Sequence, residues 1–289
     1  HTVGIKQTVL MSYVTLGSLI NFCDCLMAGG SSRKNHSEVG SSYIHFNFTP
    51  HQDKATPSLI GDVPRGVLLD QPPIFLGGQG GLVGPSRIAF GSVIPAGQVI
   101  RRDVYETGRL VIEPPISPME RAYDSQVYGK IGRIVENNLN YVGNLKALKQ
   151  WYEQVRKKFM MHDPITDACR NGAIRVLDRV LSERISRLGE LAEKFPESIS
   201  QLVNHNDSRA EECRHQQERF ISAWPKIQSN LESREIIPLP AQLVAVLPSH
   251  GLSTDYLSWI KNLDQSVKHS STAWLDAITR TAFNHWKQN

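Results

Sequence analysis

Apolar residues recur at every sixth position in two runs, Leu10, Leu16, Phe22 and Ala28, then Leu82, Ile88, Ile94 and Ile100. A period of six matches neither the 3.6-residue repeat of a helix nor the two-residue alternation of a half-buried strand. It is the signature of a hexapeptide β-helix, in which each hexad makes one short strand and three hexads close a triangular coil. The repeated side chain fills the narrow interior, and Gly91 and Gly97, each three residues after an isoleucine, supply corner conformations that a Cβ disfavours. The alternative is an irregular glycine-rich β-sandwich, against which the strict register of the last hexads argues. Residues 47–73 break the period with a polar, proline-rich stretch that reads as an excursion or loop. "GGQGG" at 77–81 reads as close packing at a coil corner, because no Gly-Lys-Ser/Thr follows to make a phosphate loop.

After Asp103 the pattern changes. "EPPISP" at 113–118 is a stiff linker. From about Tyr123 the apolar spacing becomes three and four, through Tyr128, Ile131, Val135, Leu139, Val142, Leu145, Leu148, Tyr152, Val155 and Phe159. That predicts one long amphipathic helix, or two bent near Gly143. Further helices are predicted over about 165–195, closed by Pro196, over 209–224, disturbed by Pro225, and over 253–263 and 271–287. The expected organisation is a β-helix over 1–112, a linker over 113–122 and an all-α bundle over 123–289.

Bulk properties narrow the function. A chain of 289 residues with 40% apolar content has enough material for two cores. No run of about 18 apolar residues occurs, so no membrane-spanning helix is expected. Net charge is only +4 and the 32 basic residues are dispersed, which disfavours nucleic acid as a partner. Cys23, Cys25, Cys169 and Cys213 make neither a disulfide framework nor a zinc pattern, so reduced thiols, no metal and a cytoplasmic location are expected. "HTVGIKQTVL" lacks both an initiator Met and the layout of a signal peptide, and reads as part of a longer chain. Without a secretory signal, the sequons at Asn35, Asn47 and Asn206 count as chance.

The ordered motifs "SSRKNHSEVG" (31–40), "FNF" followed by a lysine and "IGD" (46–62), and "IAFGSVIPAGQVIRRDV" (88–104) carry a resemblance. Together they resemble the acetyltransferase domain of bacterial bifunctional UDP-N-acetylglucosamine pyrophosphorylase/glucosamine-1-phosphate N-acetyltransferase, over about residues 1–104. The helical half is unlike anything in that enzyme. The resemblance implies a left-handed parallel β-helix, a homotrimer, and acetyl-CoA lying in the groove between subunits. It implies His36 as catalytic base, with Asn47, Phe48 and Ala96 beside the cofactor. Departures fall mainly on the acceptor side. Val39 replaces a sugar-contacting tyrosine, Gly78 a cofactor-binding serine, two hexads are missing after the histidine, and the upstream sugar-binding lysine has no clear equivalent.

Acyl transfer to an amine or hydroxyl needs a base near the acceptor proton, and an imidazole is largely neutral near pH 7. In this reading His36 removes that proton, while backbone or Asn47 amides hold the oxyanion. Lys54, Arg87, Arg101 and Arg102 are candidates for the phosphates of CoA or a sugar nucleotide, or else solvated residues at coil edges. His45 alternates with Ile44 and is expected to face solvent; His51 falls in a loop. "WYEQVRKKFMMHD" (151–163) mixes aromatic and basic residues, and reads as a packed helix with a basic edge rather than a nucleic-acid site. Two functions follow. One is an acetyl-CoA-dependent acyltransferase acting on a sugar or sugar nucleotide; the other is a non-catalytic trimerisation or sugar-nucleotide-binding module of a larger nucleotidyltransferase.

Overall fold

A computed structural model describes residues 1–203, 207–248 and 255–286. Asn206 and the ends of two expected helices, 253–254 and 287, lie outside the described residues. The first part is a three-sided parallel β-helix. Face A holds β1 (Val3–Lys6), β4 (Ile20–Cys23), β8 (Ile44–Phe46), β11 (Gly81–Val83) and β14 (Val99–Ile100). Face B holds β2 (Val9–Leu10), β5 (Cys25–Met27), β9 (Ser58–Ile60) and β12 (Arg87–Ile88). Face C holds β3 (Val14–Leu16), β7 (Asn35–Val39), β10 (Phe75–Leu76) and β13 (Val93–Ile94), and β6 (Gly30–Ser32) folds back on β7.

The hexad residues form interior columns, one for each face. Leu16, Val39, Leu76 and Ile94 stack in face C; Leu10, Met27, Ile60 and Ile88 stack in face B. Met27, not Ala28, takes the face B position, because the corner at Asp24 is one residue short of a hexad; Ala28 is buried beside it. Left-handed corners keep the period too. Gly91 and Gly97 have φ of 71° and 76°, but the first coils use Gln7, Tyr13 and Leu19, at φ of 51°, 65° and 57°. These side chains disguise the corners in the sequence. Glycines 77–81 do pack at a corner, since a Cβ on Gly77 would lie 2.2 Å from Ala96 N.

The three long edges of the prism differ. The C–A edge is a plain stack of corners, with Gln79 N donating to Ser41 O and Gly97 N to Gly78 O. The A–B edge carries the excursion 47–57. The B–C edge carries the β6–β7 hairpin and a second excursion containing α1 (Val63–Gly66), capped by Asp62. Residues 47–73 are therefore not one loop. Their middle, β9, pairs in register with β5 and β12.

The helical half starts at α2 (Gly132–Gln150), later than Tyr123, although Tyr128 and Ile131 are already buried. There is no bend at Gly143; a Cβ there would lie 2.4 Å from Thr279 O, so this glycine permits close helix packing. The irregularity comes later, as a π-helical stretch, Trp151–Arg156, leading into α3 (Lys157–Met160). Next, α4 (Pro164–Leu202) and α5 (Ser208–Glu232) run straight through Pro196 and Pro225. An interior proline costs a helix about 3 kcal/mol. Here burial of Leu188, Leu191 and Phe195 against Phe220 and Ile227 outweighs that local preference. Then α6 (Ala241–Val246), where no helix was expected, precedes α7 (Tyr256–Lys261) and α8 (Gln265–Thr281).

The two halves share a core. The outward row of face B is apolar, and Val9, Leu26 and Leu59 pack with Tyr141, Leu145 and Leu148 of α2. The next residue in that row, Arg87, stacks over Tyr105 at 5.4 Å. It also meets Asn140, whose oxygen accepts from its Nε at 2.9 Å once the amide is turned to face it. Face B is thus covered by the chain itself. Among the described residues no helix is long and apolar enough to cross a membrane.

Candidate functional site

The residues singled out in the sequence lie on three different edges. His36 is on the B–C edge, Asn47, Phe48 and Lys54 are on the A–B edge, and Ala96 is on the C–A edge. A single chain does not bring them together. Asn47 is committed locally, its Nδ2 donating to Asp24 Oδ2 at 2.6 Å and its carbonyl accepting from Thr56 Oγ1 at 2.7 Å. The backbone carbonyl of Lys54 accepts from Arg184 Nη1 at 3.2 Å. Phe48 and Ala96 are exposed.

His36 occupies the returning arm of the hairpin and is half-buried. Its Nδ1 lies 3.2 Å from Ser37 O. A carbonyl can only accept, so Nδ1 carries a proton, and in the neutral ring the lone pair is on Nε2. Nε2 makes no hydrogen bond among the described residues. The hairpin is held tightly: Gly30, at φ 92°, leaves no room for a Cβ, which would fall 2.8 Å from His36 Cα and 3.1 Å from Tyr13 Cβ. Gly30 N donates to Gln71 O at 3.0 Å, tying the hairpin to the second excursion. A separate cavity of about 170 Å³ lies between the first coil and the helical half, lined by Met11, Ser12, Trp151, Tyr152, Arg156 and Tyr256 among others; neither His36 nor Tyr13 lines it. The B–C edge therefore offers a half-buried imidazole whose Nε2 has no partner among the described residues.

The A–B edge is packed shut. Helical residues donate into it, with Asn138 Nδ2 reaching Ala55 O at 2.8 Å and Lys194 Nζ reaching His51 O at 2.6 Å. His51 stacks on Tyr128 at 4.1 Å between ring centroids. Arg184, on α4, is fully buried, with Nη2 at 3.1 Å from the equally buried Asp24 Oδ1. That Asp24 oxygen accepts no aligned hydrogen bond, so the contact is an ion pair. Tyr141 is buried beside the same charges, and desolvation pushes its phenol well above the ordinary tyrosine range.

His45, expected at the surface, is instead 1% exposed. It fills the face A column between Phe22 and Leu82, where other coils place an apolar side chain. Its Nδ1 is 2.5 Å from Cys23 O and its Nε2 is 2.7 Å from Ser58 Oγ. Nδ1–H therefore donates to the carbonyl, Ser58 O–H donates to Nε2, and Ser58 Oγ accepts from Ser86 N at 3.0 Å. Burial lowers this imidazole from 6.5 to about 4. It resembles a serine–histidine dyad, but both residues are closed to solvent and act as structural polar filling. The signal was present, since six residues after Val39 comes His45; the hairpin insertion before Val39 hid the count.

A cavity of about 690 Å³ lies within the helical half and is lined by Lys146, Lys149, Asp178, Arg234 and Glu235 among others. Two of its lysines are engaged: Lys149 Nζ meets Asp178 at 2.6 Å, and Lys146 Nζ donates to the last carbonyls of α5. No group of three or more potential metal ligands occurs among the described residues. The fold defines a class of architecture, a three-sided parallel β-helix joined through one face to a helical bundle. No family model matches the chain, and no curated protein matches it either.

Proposed function

We propose that the chain is an acyltransferase that moves an acetyl group from acetyl-CoA to an amine or hydroxyl of a sugar or sugar nucleotide at the B–C edge. The observation that carries this reading is His36, held half-buried on a constrained hairpin, with Nδ1 occupied and Nε2 without a hydrogen-bond partner among the described residues. In the reaction, Nε2 takes the acceptor proton as the acceptor N or O bonds to the acetyl carbon. The C–S bond then breaks, and the CoA thiolate leaves with the proton carried by the imidazolium. Within a homotrimer of side-by-side prisms, either exposed Phe48 or exposed Ala96 of a neighbouring copy is the cofactor contact, since the two lie on different edges; Asn47 and Lys54 serve to hold the A–B edge. The test is release of free thiol from acetyl-CoA with aminosugar phosphates as acceptors. His36→Ala should slow it by about 10²–10⁴-fold. Equal turnover in wild type and His36→Ala, or no turnover with any such acceptor, refutes the reading.

A second reading rests on a separate observation. The outward row of face C runs Thr15, Glu38, Phe75, Val93 and Leu110 in register, and the last three are 40%, 41% and 66% exposed. An apolar strip of this kind favours an assembly module. Phe75→Ser/Val93→Ser should then dissociate the oligomer in light scattering. An oligomer without acyl transfer supports this second reading over the first.

A further inference from the structure

The cavity of about 690 Å³ in the helical half has the size of a small-molecule site, about 300–1,000 Å³. Its walls come from α2, α4, the end of α5 and the stretch that follows α5. That stretch is pinned to α2. Gln150 Nε2 donates to Glu235 O at 3.0 Å, Ile237 N donates to Gln150 Oε1 at 3.1 Å, and Gln154 Nε2 donates to Ile237 O at 3.1 Å. Lys149 is spent on carboxylates, with Nζ 2.6 Å from Asp178 and 3.6 Å from Glu153. The remaining lining charges are Lys146 and Arg234 against Glu232 and Glu235. Lys146 Nζ donates to Asn230 O at 3.2 Å and Leu231 O at 3.3 Å, which leaves the third N–H of its ammonium without a partner among the described residues. Burial holds this amine below the ordinary lysine range, against the pull of the Glu235 charge, so an anion placed beside it would favour the ammonium. Among the described residues the Arg234 guanidinium and the Glu235 carboxylate make no hydrogen bond or ion pair, and the Glu232 carboxylate accepts from Gln228 Nε2 alone, at 2.9 Å. A simple anion would face two carboxylates here, and a simple cation two cationic groups. A ligand carrying both signs gives each of these groups an opposite charge. Ser182 and Ser186, one turn apart on α4, add hydroxyls that make no hydrogen bond among the described residues, beside apolar Leu181 and Ile185. Free hydroxyls next to apolar side chains suit a sugar ring, with its polar rim and C–H faces.

We propose that this cavity binds an aminosugar phosphate, its phosphate against Lys146 and Arg234, its ammonium against Glu232 and Glu235, and its hydroxyls against Ser182 and Ser186. Every lining residue belongs to the helical half and His36 does not, so this binding does not rest on acyl transfer and the two can fail separately. The test is calorimetric titration of the full chain at pH 7 with glucosamine 6-phosphate, glucose 6-phosphate and glucosamine, repeated in His36→Ala. Glucosamine 6-phosphate should saturate both proteins, and each control, lacking one of the two charges, should bind about tenfold more weakly or worse. Arg234→Gln and Glu235→Gln alter exposed side chains and should each weaken binding about tenfold or more, because a ligand charge loses its partner. Ser182→Trp, on an exposed helix face, should abolish binding by filling the cavity. The proposal is overturned if glucosamine 6-phosphate fails to saturate by about 5 mM, or if either control binds as tightly. Saturation of wild type but not of His36→Ala overturns it too, because the ligand would then sit at the hairpin. So does unchanged binding by folded Arg234→Gln or Glu235→Gln; should neither variant fold, retained binding by Ser182→Trp overturns it.

Discussion

Lowering the pH from 7 to 4.5 during urea unfolding should isolate His45. In the native chain its imidazole is neutral, sealed between Cys23 O and Ser58 Oγ, and burial holds it near a pKa of about 4. In the unfolded chain it returns to about 6.5. Above pH 6.5 both states are neutral and His45 adds no slope. Below 6.5 the unfolded chain takes up a proton that the native chain refuses, so stability falls until the pH reaches about 4, where the native histidine also titrates. The gap corresponds to roughly 3 kcal/mol across that window. Domains are typically stable by about 5–15 kcal/mol, so this is a large part of the total. Carboxylates titrate at the acid end of the same range and must be subtracted. His45→Gln does this, because its amide keeps one donor and one acceptor but does not titrate. The variant should start below wild type at pH 7 and lose less stability on acidification, so that the two curves converge by roughly 3 kcal/mol between pH 6.5 and 4. The curves come from urea midpoints read by circular dichroism at half-unit pH steps. A constant separation between them would refute the buried neutral imidazole.

Three other outcomes test the packing. Arg184→Met strands the buried Asp24 carboxylate and should cost about 3–5 kcal/mol in urea unfolding, most of it recovered in the double variant Asp24→Asn/Arg184→Met. Gly143→Val drives a side chain into the α8 backbone at Thr279 and should lower stability by about 1–3 kcal/mol or more, read as a fall in Tm. Leu19→Gly relieves a left-handed corner at φ 57° on an exposed side chain and should raise stability by about 1 kcal/mol; a fall in Tm would count against the corner assignment.

The candidate site was only partly legible in the sequence. The hairpin histidine stands out because "SSRKNH" interrupts a hexad run, and the structure places it at an edge with a free nitrogen. The cavity between the first coil and the helical half was invisible, since its walls come from residues 9–12, 67–69, 148–156 and 256. "WYEQVR" was read correctly as a packed segment with a basic edge, but no spacing rule marks a π-helical turn, so the position of Arg156 could not be foreseen. His45 was misplaced for a related reason. Alternation with Ile44 is a local cue, whereas inward direction is set by counting along the coil, and insertions of unequal length reset that count.

What the sequence determined alone was periodicity, hence the kind of element. Six-residue spacing of Leu82, Ile88, Ile94 and Ile100 demands a coil, and three-and-four spacing after residue 131 demands helices, because those rules depend only on backbone geometry. Tertiary structure decided which polar groups are buried, which edge stays open, and where helices stop. Pro196 and Pro225 should end helices by local preference, yet α4 and α5 continue because their shared apolar face is worth more than the lost hydrogen bonds. Face B is closed because Val9, Leu26 and Leu59 meet α2, while His36 on the B–C edge is left half-buried. Contacts of that kind join residues more than eighty positions apart, and no period within either half encodes them.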